Sequence, residues 1–323
     1  MTVATLALMF AGCTSESKPK TETPPPIKSA EASSVPDVPT ADDLRRQLRA
    51  NERAAFRRVG NDFVEADLFQ SGTKTIEPLA GLPLRALDLG ACKAISDLTP
   101  LKGMPLKRLI LEDTSVEDIS PLAGMELELL FLQNTKVKDL SVLKGMPLKQ
   151  LNLMNVPVSD LSVVEGMPLE TLWIPGTQVT DASPLKNMRL VSLDLEDVQL
   201  SDFSIVAAMT SLKRLNISGT PLQDVSILKD LSLERISITP GKVTSGIDVL
   251  RNMPTLSQVW VSNGLESETQ QFAAADFWKR YDEGAWTPGE QPESPTGESE
   301  TESSPPDAAD APSQPDADGT EER

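Results

Sequence analysis

Six aspartates, Asp118, Asp139, Asp160, Asp181, Asp202 and Asp224, recur every 21 or 22 residues. Stacked at that period, neighbouring carboxylates would stand roughly 5 Å apart, a spacing within reach of Ca²⁺. The row offers one carboxylate per unit and no second row of ligands, so a local role fits better. Each carboxylate is expected to accept backbone N–H groups where a turn begins. Seven of the ten methionines, Met104, Met125, Met146, Met167, Met188, Met209 and Met253, recur at a second fixed position. One soft side chain per unit is the pattern of core filling rather than of a metal surface. Cys92 falls in a slot that other units fill with Thr or Asn, and reads as a buried structural thiol.

Composition removes most catalytic alternatives. The 323 residues contain no His, which excludes Ser-His and Cys-His nucleophile pairs and His-ligated zinc. A net charge of −18 argues against nucleic acid or an anionic lipid surface as partner. No catalytic residue, cofactor site or metal site is assigned, and the chain is expected not to be an enzyme.

What positions these residues is a repeat. The pattern LxxLxL begins at Leu84, Leu106, Leu127, Leu148, Leu169, Leu190, Leu212, Leu233 and Leu256, with a degenerate copy one period earlier at Phe63, Ala66 and Leu68. Self-similarity at this period with this motif is the signature of leucine-rich repeats. In LxxLxL the central residues alternate in and out, so each copy supplies one short parallel strand with its leucines buried. A single copy cannot close a core, whereas a stack can. After the strand, Thr114, Thr135, Thr177 and Thr220, with Cys92, Val156 and Val198 at equivalent places, are expected to face inward, the hydroxyls satisfying turn backbone groups. The "VxDLSPL" segment follows, its Val137, Leu140 and Leu143 pointing inward. Ser120-Pro121 and Ser183-Pro184 suit an N-cap followed by the first position of a helical turn. Too few residues remain for an α-helix, so the back of each unit should be a 3₁₀ turn.

The expected fold is thus α/β: a right-handed leucine-rich-repeat solenoid, or horseshoe, with short parallel strands on the concave face, 3₁₀ turns on the convex face and helical caps. Short repeats with "DLSPL" on the back resemble the internalin-type arrays of bacterial surface proteins. The wording "LKGMPL" is also similar to arrays that some bacteria join to serine/threonine kinases. The resemblance covers about residues 63–284 and implies a binding role; no Gly-rich loop or catalytic Asp motif of a kinase is present in the sequence.

Outside the repeats the chain changes character in distinct segments. Residues 1–12 carry an apolar run too short to span a bilayer but the size of a signal-peptide h-region, and are expected to be a signal peptide of the lipoprotein type. The run closes in Phe10-Ala11-Gly12-Cys13, which resembles the lipobox of bacterial lipoproteins and implies Cys13 as a lipid-bearing membrane anchor. Residues 13–40 have the Pro- and Ser-rich composition of a tether. Residues 41–83 hold a cap helix, expected over Ala41–Val59 behind a Thr40/Asp43 capping box, and the degenerate copy. Residues 84–265 are the nine repeats. Residues 266–286 read as a cap helix opened by Ser267 and Gln270 and loaded with Phe272, Phe277, Trp278 and Tyr281. Residues 287–323 hold eleven acids against Arg323 alone, an acidic tail of disordered composition.

Between the second and third Leu of each copy lies a residue that points to the concave surface: Asp88, Ile110, Phe131, Asn152, Trp173, Asp194, Asn216, Ser237 and Trp260. Packing does not require apolar residues there, yet Ile110, Phe131 and Trp173 are apolar, with Leu129 and Met154 on adjoining positions. Arg108, Glu112, Asp194, Glu196, Arg214 and Arg235 supply a polar rim. Such a cluster, expected to lie exposed and outside the core, marks a protein or peptide site. The functional expectation is a non-catalytic, lipid-anchored module at the cell envelope that binds a protein or peptide. The alternatives are an envelope assembly protein without a discrete ligand, and a regulatory partner of a signalling enzyme.

Overall fold

A computed structural model describes residues 39–263 and 268–286. Cys13, the tether as far as residue 38, Ser267 and the acidic tail lie outside the described residues.

Among the described residues, twelve strands form one sheet in strict sequence order. It opens with a hairpin of β1 (Ala55–Val59) and β2 (Asp62–Asp67). Parallel strands β3 (Ala86–Asp88), β4 (Arg108–Ile110), β5 (Leu129–Phe131) and β6 (Gln150–Asn152) follow. Next come β7 (Thr171–Trp173), β8 (Ser192–Asp194), β9 (Arg214–Asn216), β10 (Arg235–Ile238) and β11 (Gln258–Val261). The sheet closes on β12 (Gln270–Ala273), antiparallel to β11. Every LxxLxL copy pairs in register with the next, so its middle leucine lies beside the next middle leucine, as Leu109 beside Leu130 and Leu130 beside Leu151. These leucines, together with the seven recurring methionines, form one continuous core. The fold is the expected leucine-rich-repeat solenoid.

The backs of the repeats are 3₁₀ turns such as Thr99–Leu101, Ser120–Leu122 and Ser183–Leu185. One repeat instead takes a single α-helical turn, α2 (Ser204–Ala207), and a longer back carries α3 (Ile247–Arg251). The serines are not the caps of these turns. The residue before each serine occupies that place, and the serine is the first residue of the turn. Capping comes from the Asp two residues upstream: Asp118 accepts from the Ser120 N–H at 2.7 Å and from its hydroxyl at 2.9 Å. Asp160, Asp181 and Asp202 repeat both bonds. The aspartate row is therefore a column of turn caps, and these bonds hold Asp139, Asp160, Asp181, Asp202 and Asp224 below the ordinary carboxylate pKa.

The ends differ from expectation in two places. Helix α1 covers only Ala41–Gln47, behind the expected Thr40/Asp43 capping box, and buries Leu44. Ala55–Val59 is a strand, because Gly60, with φ of 61°, and Asn61 form the two-residue turn of a hairpin with Phe63 beyond it. At the other end the cap begins as β12 and only then becomes helix α4 (Ala274–Asp282). Phe277 is fully buried there, with the rings of Trp286 and Trp278 at 5.0 and 4.7 Å.

Candidate functional site

Three residues of each strand and its exit face the concave side. In the repeat of β4 they are Arg108, Ile110 and Glu112, flanking the buried Leu109 and Leu111. Apart from Ser237, whose hydroxyl bonds to that of Ser218 at 2.9 Å, the middle row divides into two chemical kinds. Where it carries Asp or Asn, the side chain accepts the N–H of the residue two places on. Asp88 does so from Gly90 at 2.8 Å, Asn152 from Met154 at 2.9 Å, Asp194 from Glu196 and Asn216 from Ser218, both at 3.0 Å. Such Asx turns fix the exit of the strand. Ile110, Phe131, Trp173 and Trp260 have no acceptor to offer, so these four repeats give up that bond for another use of the position.

Phe131 and Trp173 stand on β5 and β7, with Asn152 of β6 between them in register. Their rings meet across that strand, centroids 5.6 Å apart and planes at 87°, in an edge-to-face contact. Asn152 beneath is only 8% exposed and donates its Nδ2 hydrogen to Gln133 Oε1 at 2.5 Å. Ile110, Leu129 and Met154 are half-buried around the pair, and Arg108 is exposed beside it. The structure thus brings Phe131 and Trp173 into contact, sets Ile110 beside Phe131 in register, and half-buries all five apolar residues rather than leaving them exposed. Among the described residues the exposed large apolar side chains are Val59 and Phe69. The reason is mutual cover: rings on alternate strands lean onto each other and shelter the amide below.

Arg214 and Arg235 lie farther along, on β9 and β10, around a cleft of about 370 Å³ bounded by Trp173 and Trp260. The floor is polar. Burial pushes the Asp194 carboxyl up to about 6 against the opposing effect of the Glu196 N–H and the Asn216 side chain. Glu196, counted from the sequence as rim, is buried instead, with Oε1 accepting from the Ser262 hydroxyl at 2.5 Å. At the opposite end Asp88 and Glu112 are also raised, chiefly by burial and then by neighbouring carboxylates.

The Thr slot behaves as expected: Thr114, Thr135, Thr177 and Thr220 donate to the carbonyl three residues back at 2.6 to 2.8 Å. Cys92 is buried in the same slot, and its Sγ donates to the Leu68 carbonyl at 3.1 Å. Sequence reasoning missed the neighbouring column. Gln70, Ala91, Asp113, Asn134, Asn155, Gly176, Asp197 and Gly219 all take positive φ, one per repeat. Three of them form a ladder, Asn155 Nδ2 donating to Asn134 Oδ1 at 2.8 Å and Asn134 Nδ2 to Asp113 Oδ1 at 2.9 Å. The recurrence of Asn, Asp and Gly just before the Thr slot is the signal that could have revealed it.

No family model and no curated protein matches this chain. Solved structures do. An internalin of Listeria monocytogenes (InlF) shares 24% identity over 69% of this chain and 68% of its own length, with a TM-score of 0.54. Internalin C2 of the same species shares 27% identity over 61% of this chain and 91% of its own, with a TM-score of 0.51. The chain therefore shares its leucine-rich-repeat architecture with bacterial internalins.

Proposed function

We propose that the chain is a non-catalytic leucine-rich-repeat module that binds a protein or peptide through its concave face, anchored by lipid on Cys13 at the cell envelope. The observation that carries the binding reading is the middle row of the sheet. Where other repeats use Asp or Asn to hold their own backbone, Ile110, Phe131 and Trp173 put apolar side chains in that row, the two rings in contact, with Leu129 and Met154 on adjoining positions. Aromatic anchors of this kind dominate interface energies, and the fold shared with internalins supports the same role. Arg108 on one side, with Arg214 and Arg235 on the other, supplies polar rim. The anchor rests on the Ala11-Gly12-Cys13 sequence.

The test is a pull-down from envelope extract with the wild type and the Phe131→Ala/Trp173→Ala variant, followed by affinity measurement on the captured partner. Each truncation should cost on the order of 2 kcal/mol, about thirtyfold in affinity. An identical captured set from both proteins would refute the concave site and favour an assembly role. For the anchor, Cys13→Ser should abolish lipid labelling and move the protein to the soluble fraction; unchanged membrane partitioning would refute it.

A further inference from the structure

Arg214 and Arg235 are paired directly across β9 and β10, so two guanidiniums leave neighbouring strands about 4.8 Å apart. Like charges placed opposite each other in a sheet destabilise it. Nothing in their row offsets the charge: the next residues on either side are Ser192 and Gln258. Among the described residues neither arginine forms an ion pair. The two nearby acids are engaged elsewhere, Asp194 with the Glu196 N–H and Glu196 with Ser262 and Asn216. Arg235 is also held in place. Its guanidinium lies 4.1 Å over the Trp260 ring, and its Nε donates to Gln258 Oε1 at 2.8 Å. A guanidinium stacked on an aromatic face and tethered through Nε is pre-organised to meet a carboxylate with its remaining N–H groups.

We propose that this arginine pair is the docking site of the chain's own acidic segment, residues 287–323. The segment carries eleven acids against one arginine, a net charge of −10. Reach is sufficient. The described chain ends at Trp286, whose ring packs 5.7 Å from Phe272 of β12, and β12 is three strands from β9. Three strand spacings amount to about 14 Å. Phe272 pairs with the buried Val259, so the path from Trp286 also rounds the edge of β12 from the core face to the concave face. Glu298 lies twelve residues beyond Trp286, an extended span of about 40 Å that covers both legs. Because the segment is tethered, its effective concentration at the cleft is on the order of millimolar, so a local dissociation constant in the millimolar range, which requires bidentate guanidinium–carboxylate pairs rather than loose screened ones, populates the contact about half the time. Docked there, the segment lies beside Trp173 and competes with any partner of the aromatic cluster. The contact itself is independent of the binding reading and its test needs no partner; only its inhibitory consequence rests on that reading.

The experiment measures modification rates of individual arginines by a dicarbonyl reagent, read by peptide mass spectrometry. It compares the full chain with a full-length variant in which the eleven acids after Trp286 are changed to Gln or Asn. With the contact populated about half the time, Arg214 and Arg235 react about twofold more slowly in the wild type. Arg108, exposed in the same row, should react equally in both. The protection should not change with protein concentration, and should disappear for the wild type alone at about 1 M salt. Equal rates at Arg214 and Arg235 in the two chains overturn the proposal. So does equal slowing at Arg108, which signals a diffuse field, or protection that grows with protein concentration, which signals a second copy.

Discussion

The Phe131 ring meets the Trp173 ring edge-to-face at 5.6 Å although the two residues sit on strands separated by a third. The contact links repeats that are not neighbours, so it adds cohesion beyond the nearest-neighbour interfaces on which a solenoid ordinarily depends.

Phe131→Ala and Trp173→Ala should therefore each lower stability, and the double variant should lose less than the sum. The expected coupling is about 0.5–1.5 kcal/mol, read from denaturant melts of the four proteins in the cycle. Additivity within error would show that the rings contribute independently. The outcome also separates two roles of the pair, since the loss of partner affinity is measured on folded protein.

Leu130 and Leu172, each the middle leucine of its strand, are fully buried. Leu130→Ala or Leu172→Ala should cost about 2–5 kcal/mol, because stacked repeats leave little freedom for the cavity to collapse. Urea midpoints check this, and a loss under about 1 kcal/mol would mean that the stack relaxes around the gap.

Asp194 gives a pH signature. Its carboxyl is raised to about 6 from an ordinary 3.8. Between those values the folded protein holds a proton that the unfolded chain has released, so stability falls as pH rises through the window, and the cost is complete above it. Asn at this position keeps the oxygen that accepts from the Glu196 N–H. Asp194→Asn should thus gain about 1–2 kcal/mol near pH 8, after allowance for residual solvent contact, and nothing near pH 3.5. Melts of both proteins across pH decide it; a gain independent of pH would assign the effect to shape rather than charge.

The positive-φ column makes opposite predictions at two of its members. Ala91 holds φ of 58° without the local bonds that Asn or Asp make, so Ala91→Gly should stabilise by about 0.5–1 kcal/mol. Gly219 has φ of 71°, and a Cβ there would stand 1.8 Å from Asp197 Oδ1. Gly219→Ala should destabilise by about 1–3 kcal/mol. Thermal melts of the pair suffice, and equal effects of the same sign would contradict the assignment.

The repeat was legible in the sequence because leucine spacing, turn residues and the Thr slot all encode the same local geometry, and Leu109, Thr114 and Asp118 each occupy the place their type requires. The ends were less legible. Ala55 and Val59 are spaced alike for one helical face and for two positions of a strand, and only the Gly60-Asn61 turn tells the two apart. The concave cluster was legible as a set of residues but not as a contact. Sequence places Phe131 and Trp173 about 10 Å apart along the sheet, and only side-chain reach, which spacing does not encode, brings them together. The burial of Glu196 escaped for the same reason, since its partner Ser262 is 66 residues away.

The ladder from Asp113 through Asn134 to Asn155 has a consequence for inheritance. Joining Gln133 to Asn155 would excise 21 residues and leave a junction of the same kind, Gln followed by a left-handed Asn whose side chain again meets Asp113. In that shortened chain β5 and β7 become neighbours, and Phe131 stands directly beside Trp173. Unequal crossing-over within the gene therefore changes the distance between surface residues only in whole steps of about 4.8 Å. Descendants of this array are free to retune their spacing by counting units, without redesigning a single turn.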